Sequence, residues 1–134
     1  MIQSIKITKY IRKFLLNNKE LQKNVRPTNI FPLVANANTN FPYIVMQRTG
    51  VRANYSKAGL IDDNVTIEII CVSNDYSQSI DIAQEVRNTL DAKRFRDEEI
   101  FIDNIEIESI TEEWAENAYL QRLVFNMSIR DTEE

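Results

Sequence analysis

Backbone breakers are confined to one short stretch of this chain. Its only glycines are Gly50 and Gly59, and its only prolines are Pro27, Pro32 and Pro42. A chain of 134 residues with so few breakers must be mostly regular structure, with its irregular parts between residues 26 and 64. That length suits one domain spanning residues 1–134. No run of about 18 apolar residues occurs, so no membrane-spanning segment is expected. The opening residues alternate apolar with basic side chains, unlike the apolar block of a secretory signal. One cysteine, Cys71, cannot form an internal disulfide, which fits synthesis in the cytoplasm.

Periodicity places the elements between these breakers. Residues 2–17 read as an amphipathic helix, with Ile7, Tyr10, Ile11, Phe14 and Leu15 on one arc and Lys6, Lys9 and Lys13 opposite. Ile5 and Leu16 lie off that stripe. Pro32 demotes the apolar run 30–34 to an edge strand. Residues 43–48 start a second strand, and 49–62 read as a long hairpin loop or a protruding ribbon. In the strand 65–73, Val65, Ile67, Ile69 and Cys71 share one face. A helix over 77–92 buries Ile80, Ala83, Val86 and Leu90, with Asp75 or Ser77 as its cap. Strands follow at 100–110 and 119–129, the latter with Leu123, Phe125, Met127 and Ile129 inward.

The predicted class is therefore α+β: one mainly antiparallel five-stranded sheet with two helices, in the order α-β-β-β-α-β-β. Two helices cannot cover both faces of such a sheet. Both are expected on one face, leaving part of the other open to a partner.

Missing residue types narrow the chemistry. The chain has no histidine, which removes His-activated nucleophiles and the commonest neutral-pH base. A zinc site would need carboxylates and a single thiol, and two separated glycines make no phosphate-cradling loop. Glu106 and Glu108 share a strand face and resemble an acid/base pair, but no cleft signature accompanies them. The expectation is a non-enzymatic protein with no cofactor and no metal.

Charge is the most informative pattern. Residues 1–26 hold seven bases and one acid, whereas residues 97–116 hold nine acids and no base. Such segregation can be a solvated surface, or it can join the basic helix of one subunit to the acidic strand of the next, a heterologous contact that closes into a ring. Lys6, Lys9 and Lys13 are the candidates on the basic side, and Glu106 and Glu108 on the acidic side. Arg52, Tyr55 and Lys57 belong to the long segment 49–62, expected to be flexible until it orders on a neighbour. Trp114, set among acids, is a candidate interface anchor. The net charge of −4 argues against sequence-specific DNA binding.

The order and spacing of these segments resemble a known family. The segments are the N-terminal helix, Ile30-Phe-Pro-Leu-Val-Ala35, Phe41-Pro-Tyr-Ile-Val-Met-Gln-Arg48, Asp63-Asn-Val-Thr-Ile-Glu-Ile-Ile-Cys-Val-Ser73, the helix from Ile80 to Asp91, and Ala118-Tyr-Leu-Gln-Arg-Leu-Val-Phe-Asn-Met127. The chain is similar to the tail-completion proteins, also called tail-terminator or head-to-tail joining proteins, of long-tailed phages and prophages. That resemblance implies a self-assembled ring, commonly a hexamer, which caps the tail tube and meets the head connector. Its partners would be further copies of itself, the tail-tube protein and the head-connector protein. DNA would pass through the centre without specific binding, and no membrane would be involved. The protein would occupy the host cytoplasm during assembly and the virion tail afterwards. The competing reading is a small cytoplasmic adaptor domain with no viral role.

Overall fold

The strongest alternation in the chain becomes the centre of its sheet. In a computed structural model describing residues 1–133, the strands Gly59–Ser73 (β3) and Ala118–Arg130 (β6) pair antiparallel from Asp63↔Ile129 to Ser73↔Tyr119. That register sets Val65, Ile67, Ile69 and Cys71 beside Met127, Phe125, Leu123 and Gln121 on one face. Tyr43–Ser56 (β2) flanks β3, and Phe101–Ala115 (β5) flanks β6. Two stubs complete the sheet: Ile30–Pro32 (β1) parallel to the start of β2, and Phe95–Arg96 (β4) antiparallel to the start of β5. The order is β1-β2-β3-β6-β5-β4.

The sheet is mainly antiparallel, as expected, but it has six strands among the described residues and not five, and the β1–β2 pair is parallel. The extra strand, β4, is two residues long and too short to produce a periodic signal. There are three helices, not two. Ile7–Leu16 (α1) follows a 3₁₀ turn at Ser4–Lys6, and Tyr76–Leu90 (α3) links β3 to β5. Between them Lys19–Gln22 (α2) forms a single turn, with the Asn18 side chain accepting from the Leu21 N–H at 3.0 Å. The β3–α3–β5 connection makes β3 and β5 parallel with β6 inserted between them, a crossover that skips one strand.

Both long helices pack on one face. Ile7, Ile11 and Leu15 of α1 and Ile82, Val86 and Leu90 of α3 are fully buried with Ile44, Ile67, Ile69, Phe125 and Ile129 of the sheet. Asp75 caps α3 by accepting from the Gln78 N–H at 3.2 Å. The predicted α3 stripe is corrected at one position: Ile82 is buried while Ile80 is 42% exposed. Ser79, Ile82, Val86 and Leu90 form the inner row, and burial of the small Ser79 lets the helix approach the sheet. The opposite face of the sheet has no helix. Val45, Thr66, Glu68, Ile70, Arg122 and Val124 are half-buried there, with Arg122 bridging to Glu68 at 3.1 Å.

The segment 49–62 is the ribbon alternative, not a loop. It lies within β2 and β3, which remain paired to Ser56↔Gly59 although β6 leaves β3 at Asp63. Shifts in register after Arg48 and Asn54 bulge the ribbon, and Gly59 holds a φ of +121° at its tip.

Truncating Ile82 to Ala is expected to cost about 2–5 kcal/mol, and Ile80→Ala less than about 1 kcal/mol, in urea unfolding. Burial pushes the Cys71 thiol well above its ordinary range. A maleimide reagent is therefore expected to label it only after denaturation.

Candidate functional site

No cluster of three or more His, Cys, Asp or Glu residues that could hold a metal ion occurs among the described residues. What the fold exposes instead are the outer flanks of its long strands.

At the β2 flank, β1 covers only Ile44–Met46, and the Leu33 N–H extends that cover to the Met46 carbonyl at 2.8 Å. From Gln47 to Ser56 the outer edge of β2 has no strand partner among the described residues. Residues 47–58 carry Arg48, Arg52 and Lys57 and no acid. Arg48 donates to the Ile5 carbonyl at 2.6 Å, which brings the start of the N-terminal helical segment against this ribbon. Ile5, Lys6, Arg48, Val51 and Ala53 then line one shallow groove. Lys6, Arg52, Tyr55 and Lys57 are exposed around it, with Tyr55 at 71%. Lys9 and Lys13 point to solvent along α1 and form no ion pair among the described residues. Arg12 turns inward instead, its Nε donating to the Ile30 carbonyl at 3.0 Å.

At the β5 flank, the linker after α3 covers the strand as far as Ile107. Ala92 and Lys93 exchange backbone hydrogen bonds with Ile105 at 2.8 and 3.1 Å, and the Asp91 carboxylate accepts from the Ile107 N–H at 3.0 Å. Beyond that point Glu108 to Trp114 are all exposed. Glu108 therefore lies at the uncovered edge, whereas Glu106 is exposed within the stretch that the linker covers. Trp114 is 56% exposed and packs on Tyr119 with ring centroids 4.7 Å apart. It sits within β5, and the turn before β6 is Glu116-Asn117, both at positive φ.

An aromatic and polar lock holds this tip. Tyr76 at the start of α3 meets Tyr119 edge-on and donates to Glu112 at 2.9 Å, and the Gln121 amide donates to Glu112 at 3.0 Å. Those two donors hold the Glu112 carboxyl below its usual range. The acids nearest β4 are engaged within the subunit. Tyr10 of α1 donates to Glu99, and this bond, together with burial, pushes the Tyr10 hydroxyl up to about 12. Its contribution to stability is complete below the ordinary tyrosine value of 10.0 and disappears as pH rises through about 12. The acidic run is thus divided: Glu99 serves the core side of α1, Glu112 is held at the tip, Glu113 meets Arg122 at 3.6 Å, and Glu108 lies exposed at the outer edge.

The predicted residues therefore form two separate groups, basic at the β2 flank and acidic at the β5 flank. Leu33 and Val34, expected within the edge strand 30–34, lie beyond its end at Pro32 and are exposed, as are Leu60 and Ile61 in the ribbon part of β3. Leu33 and Val34 overhang the helix-free face above a groove of about 430 Å³ lined by Val45, Ile70, Val72 and Leu120.

Comparison with solved structures places this architecture among known folds. A chain of the virion of a native gene transfer agent (GTA) particle matches with a TM-score of 0.78 and 14% identity, over 90% of this chain and 92% of that one. Another solved structure matches with a TM-score of 0.63 and 7% identity, over 92% and 96% of the two chains. No curated protein gives a significant match. The family described as tail completion protein gp17 matches residues 9–130, from α1 to the last residue of β6. The chain belongs to that family, and it is a structural protein of a phage-like tail.

Proposed function

We propose that several copies of this chain, six in the simplest arrangement, close into a ring at the head-proximal end of the tail. The ring terminates the tail tube and presents the surface on which the head connector docks. Family membership over nearly the whole chain carries this reading. The separation of basic and acidic flanks supports it, because unlike surfaces on opposite sides of one subunit favour a head-to-tail repeat over a two-fold dimer. Lys6, Lys9, Lys13, Arg52, Tyr55 and Lys57 would serve one side of each joint, and Glu106, Glu108 and Trp114 the other.

The ring reading also accounts for the charge balance. A net charge of −4 gives a central passage no general affinity for phosphate, so DNA passes without being held. The work is done by contact, in the host cytoplasm during assembly and then in the finished tail, and no catalytic step is assigned.

Disrupting the gene in a producing strain is expected to leave filled heads and separate tails of irregular length under the electron microscope; joined particles of normal length would overturn the proposal. Lys9→Glu combined with Lys13→Glu is expected to reduce incorporation into tails while the circular dichroism spectrum stays native. Normal incorporation of that variant would remove α1 from the joint.

A further inference from the structure

The two long flanking strands are uncovered over complementary segments. Among the described residues, the outer edge of β2 has no strand partner from Gln47 to Ser56, and the outer edge of β5 has none from Glu108 to Ala115. Each carries a row of backbone N–H and C=O groups on its outer side, which is a template for adding another strand. We infer that subunits join by antiparallel pairing of the free β2 edge of one copy with the free β5 edge of the next, so that the sheet runs on from subunit to subunit. This inference rests on the ring reading above and specifies its joint.

Charge selects the occupant. Glu108, Glu112 and Glu113 mark the β5 edge, Glu112 bonded to Tyr76 and Gln121 and Glu113 meeting Arg122 of its own subunit at 3.6 Å, and no base lies between residues 97 and 116. Arg48, Arg52 and Lys57 mark the β2 edge, with no acid between residues 47 and 58. Pairing β5 with β5, or β2 with β2, sets like charges against each other, which opposes both two-fold dimers. Only the unlike pairing brings opposite charges together, and that pairing is head-to-tail.

Direction and face agree with charge. β2 is antiparallel to β3, β3 to β6 and β6 to β5, so β2 and β5 run in opposite senses within a subunit. A repeat by rotation about an axis near the strand direction therefore keeps the new pair antiparallel. On the helix-bearing side, β2 presents Val51, paired with Val65, and β5 presents Ile110, paired with Leu123. These are 42% and 44% exposed in the single subunit, and an added strand would cover both. On the helix-free side, β2 presents Arg52 and β5 presents Glu113.

The stubs dictate the stagger. β1 blocks β2 at the end where Tyr43 is level with Val72 and Leu120, whereas β4 blocks β5 at the end where Ile102 pairs with Ile129. The free segments thus lie at opposite ends of the sheet, and neighbours must be offset along the strands. An offset of this kind, with tilted strands, is what closing a sheet around an axis requires.

The test uses two double variants of the full chain, Arg52→Glu with Lys57→Glu, and Glu108→Lys with Glu113→Lys. The first makes both edges acidic and the second makes both basic. Wild-type assembly, measured by native mass spectrometry and by incorporation into tails, is the reference. Each variant alone is expected to lose self-association by about tenfold or more. An equimolar mixture is expected to recover it as complexes in which the two variants alternate, and that recovery shows both variants to be folded. If the wild type forms rings and either variant alone forms them equally well, edge pairing is overturned while the ring stands. If the variants fail both alone and mixed, with native circular dichroism, edge pairing is also overturned. If the wild type forms no ring in solution or on tails, the ring reading itself falls.

Discussion

The register between β3 and β6 is the constraint on which the molecule depends. Side chains alternate across a strand, so a slip of one residue would carry Val65, Ile67, Ile69 and Cys71 to the helix-free face and leave α1 and α3 facing Thr66, Glu68 and Ile70. Phe125, the largest side chain in the fully buried set, lies beside Ile67 and Ile107 in this register and ties β3 to β5 through β6. With that face committed to the two long helices, no element remains for the other face or for the outer halves of β2 and β5.

Polar contacts at the periphery then decide how far each helix reaches. Ser4 donates to Asp63 at 2.6 Å, where β3 leaves the body of the sheet and becomes part of the ribbon. Asn18 donates to the Thr89 hydroxyl at 2.7 Å and joins the turn after α1 to the last turn of α3. Phe14 packs on Phe95 and gives the two-residue strand β4 an anchor in the core. None of these contacts is strong individually, and the part-exposed ones are worth about 1 kcal/mol each. Their effect is positional: they hold the basic helix beside β2 and keep the outer half of β5 uncovered.

Most of the core was legible in the sequence because it is written in periods. Ile7, Ile11 and Leu15 repeat at helical spacing, and the alternations in β3 and β6 correctly assign the inner face. The helix-free face followed from counting helices against strands. The ribbon was harder to read, since Arg52, Ala53, Asn54 and Tyr55 have no core to face and hence no reason to alternate; its regularity comes from pairing with residues 59–64. Ile80 and Ile82 are both compatible with a helical stripe, and only the direction from which β6 and β3 approach α3 decides between them. For the candidate site, composition revealed the two charged groups but not their placement. Nothing local indicates that Glu99 is engaged by Tyr10 whereas Glu108 lies at an open edge, because the first depends on where α1 packs and the second on how far the linker after α3 runs: Lys93 meets Ile105 and Asp91 meets Ile107, where its cover of β5 ends.

Placing the proposed contacts on strand edges would have a mechanical consequence. Backbone pairing fixes distance and direction but tolerates many side chains, so charge can choose the neighbour without altering the geometry of the joint. The faces of the sheet then remain available for other partners. The helix-free face, with Leu33 and Val34 overhanging its groove, is separate from both edges. A subunit that joined its neighbours through this face would have to give up that surface on closing the ring. Joining through the edges, about an axis near the strand direction, would turn one face of the sheet inward and the other outward in every copy and consume neither in the joint.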